Sequence, residues 1–145
     1  MTVVKLNKHK IDTLKKKAFN SSLKRSRICV HRDNKDKIHE MFVCLHKDTY
    51  VAPHYHKNKT ESYHMIEGKV DVYFFNKKGK VSKKINLNAK SKKQNFYLRI
   101  GPNIHHTLVP KTNYVIFHEV TNGPFIKKEN LSSQMKIFRK KKFRP

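Results

Sequence analysis

The sequence predicts an all-β protein, a sandwich or barrel of short strands with one short helix before it. Apolar segments rich in β-branched and aromatic residues follow one another from residue 25 to residue 121. Turn-like polar stretches separate them at short intervals, as in sandwiches and barrels. At 145 residues the chain has room for one domain with a core of moderate size.

The individual elements follow from local patterns. Residues 9–19 can form an amphipathic helix, because Ile11, Leu14 and Ala18 share one helical face. A hairpin-like turn is expected at Gly79, which can take a positive φ. Nine strands are predicted, at residues 25–31, 40–47, 50–56, 61–67, 70–76, 81–87, 95–100, 106–109 and 113–121.

The net charge of +24 is concentrated at the two ends of the chain. Residues 1–30 carry nine basic residues and one acidic residue, and residues 126–145 carry eight and one. We therefore expect an N-terminal extension over 1–24 with the short helix, a β domain over 25–126, and a basic tail over 127–145. The sequence does not decide whether the tail forms a helix, forms a strand against the barrel or is mobile.

Such basic ends favour non-specific binding of a polyanion, such as nucleic acid or anionic lipid. The alternative is that the charge reflects a general compositional bias, because lysine is abundant throughout the chain and outnumbers arginine. Aromatic residues of the kind that stack on bases are not interleaved with the lysines. No apolar run approaches the length of a membrane span, and the N-terminus lacks a signal-peptide pattern, so a cytoplasmic location is expected. Cys29 and Cys44 do not form a disulfide framework, and Cys44 is expected in the core.

The chemistry-bearing pattern is a His-x-His pair followed by a glutamate and a later histidine pair. Residues two apart in a strand share a face, so His54 and His56 can point into a barrel together, and Glu61 can join them after a short turn. Imidazole and carboxylate ligands suit Fe, Mn, Ni, Zn or Co as divalent ions. Of the later pair, only one of His105 and His106 can face inward, and parity alone does not choose between them. The alternative is that the His-x-His pair arose by chance, since the chain has ten histidines.

The chain resembles the WbuC family of cupin-fold metalloproteins over roughly residues 10–126. The motifs that carry the resemblance are Arg27-x-x-x-His31-x-Asp33, His39-Glu40-Met41, Thr49-Tyr50-Val51-x-Pro53-His54-x-His56, Lys59-x-Glu61-Ser62, Ile66-Glu67-Gly68, His106-Thr107-Leu108-x-Pro110, Phe117-His118-Glu119 and Gly123-Pro124-Phe125.

The resemblance implies a cupin double-stranded β-helix, a jelly-roll barrel. It also implies a divalent metal ion held by His54, His56, Glu61 and His106. Related genes often lie near those for surface-polysaccharide synthesis, which implies a small, polar, sugar-related ligand. A homodimer is expected by analogy with other cupins.

Four further residues are candidates for the site. Tyr63 shares the face of Glu61, and His118 ends an apolar strand, so both are catalytic candidates. Tyr50 and Arg99 are candidates for substrate binding, Arg99 through bidentate contact with a carboxylate or phosphate. Core packing for Tyr63 and His118, and a surface position for Arg99, remain the alternatives.

The reaction stays open at this point. A metal-dependent isomerase or epimerase, a dioxygenase-type enzyme and a non-catalytic ligand-binding or sensor module all fit this ligand set.

Overall fold

Two five-stranded sheets build the described part of the protein, and all of their strand pairs are antiparallel. The computed structural model describes residues 2–126 and the backbone of residues 130–132. The elements are α1 (Lys8–Asn20), β1 (Arg25–Cys29), β2 (Ile38–His46), β3 (His54–His56), β4 (Glu61–Glu67), β5 (Lys69–Phe75), β6 (Val81–Asn88), β7 (Tyr97–Ile100), β8 (His106–Pro110), β9 (Tyr114–Asn122) and β10 (Asn130–Ser132).

The first sheet has the strand order β1-β2-β9-β4-β7 and the second the order β10-β3-β8-β5-β6. Strands adjacent in each sheet come from distant parts of the chain, as in a jelly roll. The predicted all-β class and the helix before it are confirmed.

The main core lies between the sheets and draws on both of them. Along β4 the side chains alternate, with Glu61, Tyr63 and Met65 buried and His64 and Ile66 exposed. The other buried members are Leu45, Val70, Val72, Leu87, Ile100, Leu108, Val115 and Phe117. This period of two is the reason that the inner face can carry both a core and a polar site.

A smaller core lies on the outer side of the first sheet, where α1 packs. Asn7 caps the helix by accepting a hydrogen bond from the Lys10 backbone N–H. Leu14 and Ala18 of the helix pack on Cys44 of β2 and Ile116 of β9. Burial raises the pKa of the Cys44 thiol to about 11, so this cysteine packs as an apolar residue.

Three predicted strands, those over 25–31, 50–56 and 95–100, are shorter than expected, and the second of them changes most. Residues 50–56 read as a strand, yet β3 comprises only His54–His56. Pro53 has no backbone N–H to donate to a ladder, which explains why the strand begins directly after it.

Gly79 has a φ of 74°, as the sequence pattern predicts, and Gly68, in the turn between β4 and β5, has a φ of 83°. Gly68 also has no room for a side chain, because a Cβ atom there would lie 2.2 Å from the Tyr114 carbonyl oxygen. Glycine is therefore required at Gly68 for two separate reasons.

Part of the basic tail lies within the second sheet. The backbone of β10 pairs with β3, with Leu131 opposite Tyr55. The rest of 127–145 falls outside the described residues, and the division at residues 24 and 126 remains a prediction. Within residues 2–126, no helix has both the length and the apolar character needed to cross a membrane.

Candidate metal centre

Three side chains from both sheets meet at one site. His54 of β3 lies directly opposite His106 of β8 in the second sheet, while Glu61 begins β4 in the first. One potential ligand atom from each of the three lies within 4.8 Å of the others. Glu61 and His106 are buried, with 3% and 1% of their surfaces exposed.

Backbone carbonyl groups determine which ring nitrogens face the centre. His54 Nδ1 lies 2.9 Å from the Ala52 oxygen, and His106 Nδ1 lies 2.8 Å from the Ile104 oxygen. A carbonyl can only accept, so each Nδ1 must be the protonated donor. In the neutral ring Nε2 then presents its lone pair, which is the usual way in which metal-binding histidines are oriented.

The buried carboxylate of Glu61 provides a direct test of whether a cation fits. Its Oε1 lies 2.7 Å from His106 Nε2, yet Oε1 has no hydrogen-bond donor among the described residues. The two observations agree if His106 is neutral, because two lone pairs then face each other. Such a contact requires either a second proton on the imidazole or a positive ion between the two ligands. A divalent cation satisfies both lone pairs.

The charge state of Glu61 fits the same role. Burial works to raise its pKa, but hydrogen bonds and charge from His106 and His56, when these rings are protonated, outweigh burial and hold the pKa well below its usual value. Burial, followed by repulsion from His106 when that ring is protonated, lowers the pKa of His54 to about 4. Near neutral pH the chain therefore presents a carboxylate and an unprotonated imidazole, the forms that bind metal.

His56, the fourth predicted ligand, lies beside this cluster. Its Nε2 is 3.3 Å from Glu61 Oε2, and its ring centroid is 5.4 Å from that of His54. It therefore contacts the second oxygen of the same carboxylate. Its role as a ligand remains a prediction.

A cavity of about 510 Å³ opens from the centre and is lined by His54, His56 and Glu61. This volume falls within the range of about 300–1,000 Å³ found for small-molecule sites. Tyr63, one of the catalytic candidates, lines it and is 2% exposed. Its hydroxyl lies 3.3 Å from His106 Nε2. Burial, followed by the charges of Glu61 and Glu119, raises the pKa of Tyr63 well above its usual value, so the phenol keeps its proton.

Glu119 is a cavity residue that the sequence-based interpretation did not single out. It lies on β9 opposite Tyr63 of β4 and Met41 of β2, and its side chain lines the cavity. Burial, followed by the negative charge of Glu61, raises its pKa to about 8. One carboxyl is thus ionised and the other protonated, a division often found in acid–base sites. The signal was present in the sequence, because Glu119 is the last residue of the Phe117-His118-Glu119 motif.

His118 lies on the opposite side of β9 from the cavity. Its Nε2 is 3.4 Å from Glu40 Oε1, and its ring stacks on Phe42 with the centroids 4.9 Å apart. The alternation of β9 explains this placement, because His118 and Glu119 are neighbours and must face opposite ways. The structure therefore does not bring this catalytic candidate to the site.

The two candidates for substrate binding also lie away from the cavity lining. Arg99 is exposed on β7 and lies opposite Ser62 of β4. Ser62 lies between the inward-facing Glu61 and Tyr63, so it faces outward, and Arg99 faces outward with it. Tyr50 lies in the loop before β3 and is 39% exposed. Two other arginines, Arg25 and Arg27 of β1, line the cavity instead.

Comparison with protein families gives one match. A family described as "Domain of unknown function (DUF6016)" matches residues 6–87, more than half of the chain. The chain belongs to this family. The matched DUF6016 segment includes His54, His56 and Glu61, whereas His106 and Glu119 lie beyond it. A search of curated protein sequences found no match.

Solved structures establish the fold of this DUF6016 chain. A Shewanella oneidensis protein superposes with a TM-score of 0.63 at 8% identity, covering 81% of this chain and 83% of its own. A cupin superfamily protein from Desulfitobacterium hafniense gives a TM-score of 0.52 at 13% identity, covering 68% and 76%. An oxalate decarboxylase from Lactobacillus farciminis, seen as a formate complex, gives 0.52 at 19% identity and covers 67% of this chain.

The fold is therefore a cupin double-stranded β-helix, as expected from the sequence. Some matched proteins are much longer, since the chain spans 27% of the oxalate decarboxylase and 21% of procruciferin from Brassica napus. At such low identities the likeness concerns the fold alone. The comparisons show the cupin fold, and the finer WbuC assignment stays a prediction.

Proposed function

We propose that this chain is a metal-dependent cupin that acts on a small polar, sugar-related molecule. His54, Glu61 and His106 would hold a divalent ion, with His56 as the fourth ligand. The observation that carries the proposal is the buried, donorless oxygen of Glu61 facing the Nε2 atom of His106. The WbuC-like motifs support the sugar-related ligand and the link to surface-polysaccharide synthesis. The cytoplasmic location and the homodimer remain part of the proposal.

The chemistry follows from the residues around the ligands. A divalent ion, when bound, supplies Lewis acidity toward a carbonyl or hydroxyl oxygen, and iron would also permit chemistry with O₂. The Tyr63 hydroxyl can orient an oxygen at the centre, since it lies next to His106. Glu119 holds a proton within the same cavity. This arrangement suits an isomerase or epimerase, and it also accommodates a dioxygenase-type reaction.

The test is the metal content of the protein purified without added metal, measured by elemental mass spectrometry. The comparison is between the His54→Ala/His106→Ala double variant and a matched His64→Ala/His118→Ala double variant. The control removes two histidines with outward-facing side chains. We expect near-stoichiometric metal in the wild type and the control and a loss in the ligand variant. Absence of metal from all three folded proteins, or equal metal in both variants, contradicts the proposal.

The identity of the metal directs the next step. Iron would lead to substrate screening under controlled oxygen, whereas manganese, zinc or nickel would favour isomerase chemistry. Turnover of a sugar derivative that depends on Glu61 would distinguish an enzyme from a non-catalytic ligand-binding or sensor cupin.

A second candidate function, polyanion binding, is favoured by a basic surface on and around β6. Eight lysines between residues 77 and 93 are exposed, and no acidic residue occurs in that segment: Lys77, Lys78, Lys80, Lys83, Lys84, Lys90, Lys92 and Lys93. Binding of heparin should weaken steeply with salt and should weaken further in Lys83→Glu/Lys84→Glu. A separate deletion of residues 127–145 tests the contribution of the tail. Salt-independent binding would contradict this function.

A further inference from the structure

The inner face of β1 carries arginines where a sandwich normally carries apolar residues. Arg25 lies opposite Leu45 of β2, and Arg27 lies opposite Val43. Leu45 and Val43 belong to the core side of β2, and both line the cavity. Because directly opposed residues in a sheet share a face, the arginines point to the cavity side as well.

Contacts at Arg27 show that its side chain turns toward the cavity. Its Nη1 lies 3.9 Å from Met41 Sδ, and Met41 is directly opposite Glu119 in the β2–β9 pair. Arg25 and Arg27 are exposed, so they form the solvent side of the cavity, while Glu61 and Tyr63 form its buried side. Within residues 2–126, neither guanidinium forms an ion pair.

The charges of the cavity do not balance once a metal ion is bound. Arg25 and Arg27 contribute two positive charges, and a divalent cation adds two more. Glu61 and Glu119 contribute at most two negative charges among the lining residues. A partly desolvated cavity with a surplus of positive charge attracts an anion, and guanidinium groups bind carboxylate and phosphate oxygens bidentately.

We propose that the cavity binds a small anion, whose carboxylate or phosphate group is held by Arg27 and Arg25 while another of its oxygens faces the ligand cluster. The proposal rests on the metal-dependent function above, and it specifies the substrate class of the same cavity. Carboxylate and phosphate share the required chemistry, an anionic group with at least two oxygens.

The experiment measures ligand binding by isothermal titration calorimetry to the metal-containing protein. The probes are D-glucuronate, D-glucose 6-phosphate and neutral D-glucose, together with glycolate and inorganic phosphate as anions without a sugar ring. Arg27→Gln is compared with Arg99→Gln, because Arg99 is an exposed arginine on the outer face and its loss changes the net charge equally. Metal content and circular dichroism are recorded on the same samples.

We expect at least one anion to bind about tenfold or more tightly than D-glucose, since hydrogen bonds to charged groups are stronger than those between neutral groups. Arg27→Gln should lose that preference, and Arg99→Gln should keep it. A preference for D-glucuronate and glycolate identifies a carboxylate, and one for the phosphates identifies a phosphate.

Two results would overturn the proposal: anions that bind no more tightly than glucose, or equal anion affinity in the two arginine variants. If all samples hold metal, either result refutes the anion site and leaves the metal-dependent function intact. If the wild type holds no metal, the metal-dependent function is refuted. The anion site is then tested separately, by whether Arg27→Gln binds the anions more weakly than Arg99→Gln does.

Discussion

Tyr63 of β4 and Glu119 of β9 lie directly opposite each other in the first sheet, and both side chains line the cavity beside Glu61. The charge of Glu61 raises the pKa of each of them in addition to burial. The cavity thus places two proton-bearing groups next to one carboxylate that stays ionised. This relationship gives Glu119 and Tyr63 separate, measurable roles.

Glu119→Gln should change how stability depends on pH. The Glu119 pKa of about 8 exceeds the ordinary value of 4.5, so between these pH values the folded state holds a proton that the unfolded state has lost. The free energy of unfolding should therefore fall as pH rises through this window, on the order of 1–3 kcal/mol for this group.

Urea denaturation of chelator-treated protein at about pH 5 and about pH 8.5 checks this expectation. The fall should be smaller in Glu119→Gln, because glutamine cannot ionise. Glu40→Gln, on the outer face, is the control. An identical fall in wild type and Glu119→Gln would show that Glu119 ionises as an ordinary carboxylate.

His54 should make the fold less stable as pH falls, the opposite of the effect of Glu119, and His54→Asn should reduce this loss. Burial lowers the His54 pKa to about 4 from an ordinary 6.5, so between these values the unfolded state holds the extra proton. Metal-free protein should therefore lose about 1–3 kcal/mol as pH falls through this window, and His54→Asn should lose less. The same denaturation series measures this, with exposed His64→Asn as control. Equal losses in His54→Asn and wild type would contradict the low pKa.

Tyr63→Phe should perturb the metal environment without removing any ligand. The hydroxyl lies 3.3 Å from His106 Nε2, the nitrogen that would face the metal, so it can hydrogen-bond an oxygen ligand of the ion. Its loss should therefore shift the absorption bands of the Co(II)-substituted protein. His118→Phe alters an outward-facing ring and should leave these bands unchanged. Identical spectra for wild type and Tyr63→Phe would place the hydroxyl away from the metal.

Gly68→Ala should destabilise the fold by about 1–3 kcal/mol. Its φ is 83°, and an added Cβ would lie 2.2 Å from the Tyr114 oxygen and 2.5 Å from Thr112 Oγ1. Gly101→Ala is the matched control, because a Cβ there meets nothing within 4 Å. Urea denaturation of both variants measures the difference. Equal stability of the two would show that the β4–β5 turn relaxes freely.

The fold and the ligand cluster follow from local sequence signals. The spacing of His54 and His56 predicts two side chains on one face, and the turn after them predicts the return to Glu61. The resemblance selected His106 over His105, and His106 is the one that lies with His54 and Glu61. The placement of His54, His56 and Glu61 could be predicted because it needs only the parity of each strand and the turn between strands, whereas that of His106 needed the resemblance.

The cavity lining could not be read from the sequence in the same way. The choice between His118 and Glu119 depends on which parity of β9 faces inward, and an apolar strand buried on both faces does not reveal it. Arg25 and Arg27 were missed for a related reason. Their orientation comes from the register of β1 against β2, which is a long-range pairing and not a local pattern.

Because His54 pairs directly with His106, the three-residue cluster cannot form until late in the synthesis of the chain. Residues 54, 61 and 106 must all have left the ribosome before the ligand atoms can meet, and Glu119 on β9 emerges later still. A nascent chain that has reached only β6 carries His54, His56 and Glu61 without the partner strand β8. The proposed metal ion would therefore meet its complete ligand set only after β8 has joined β3.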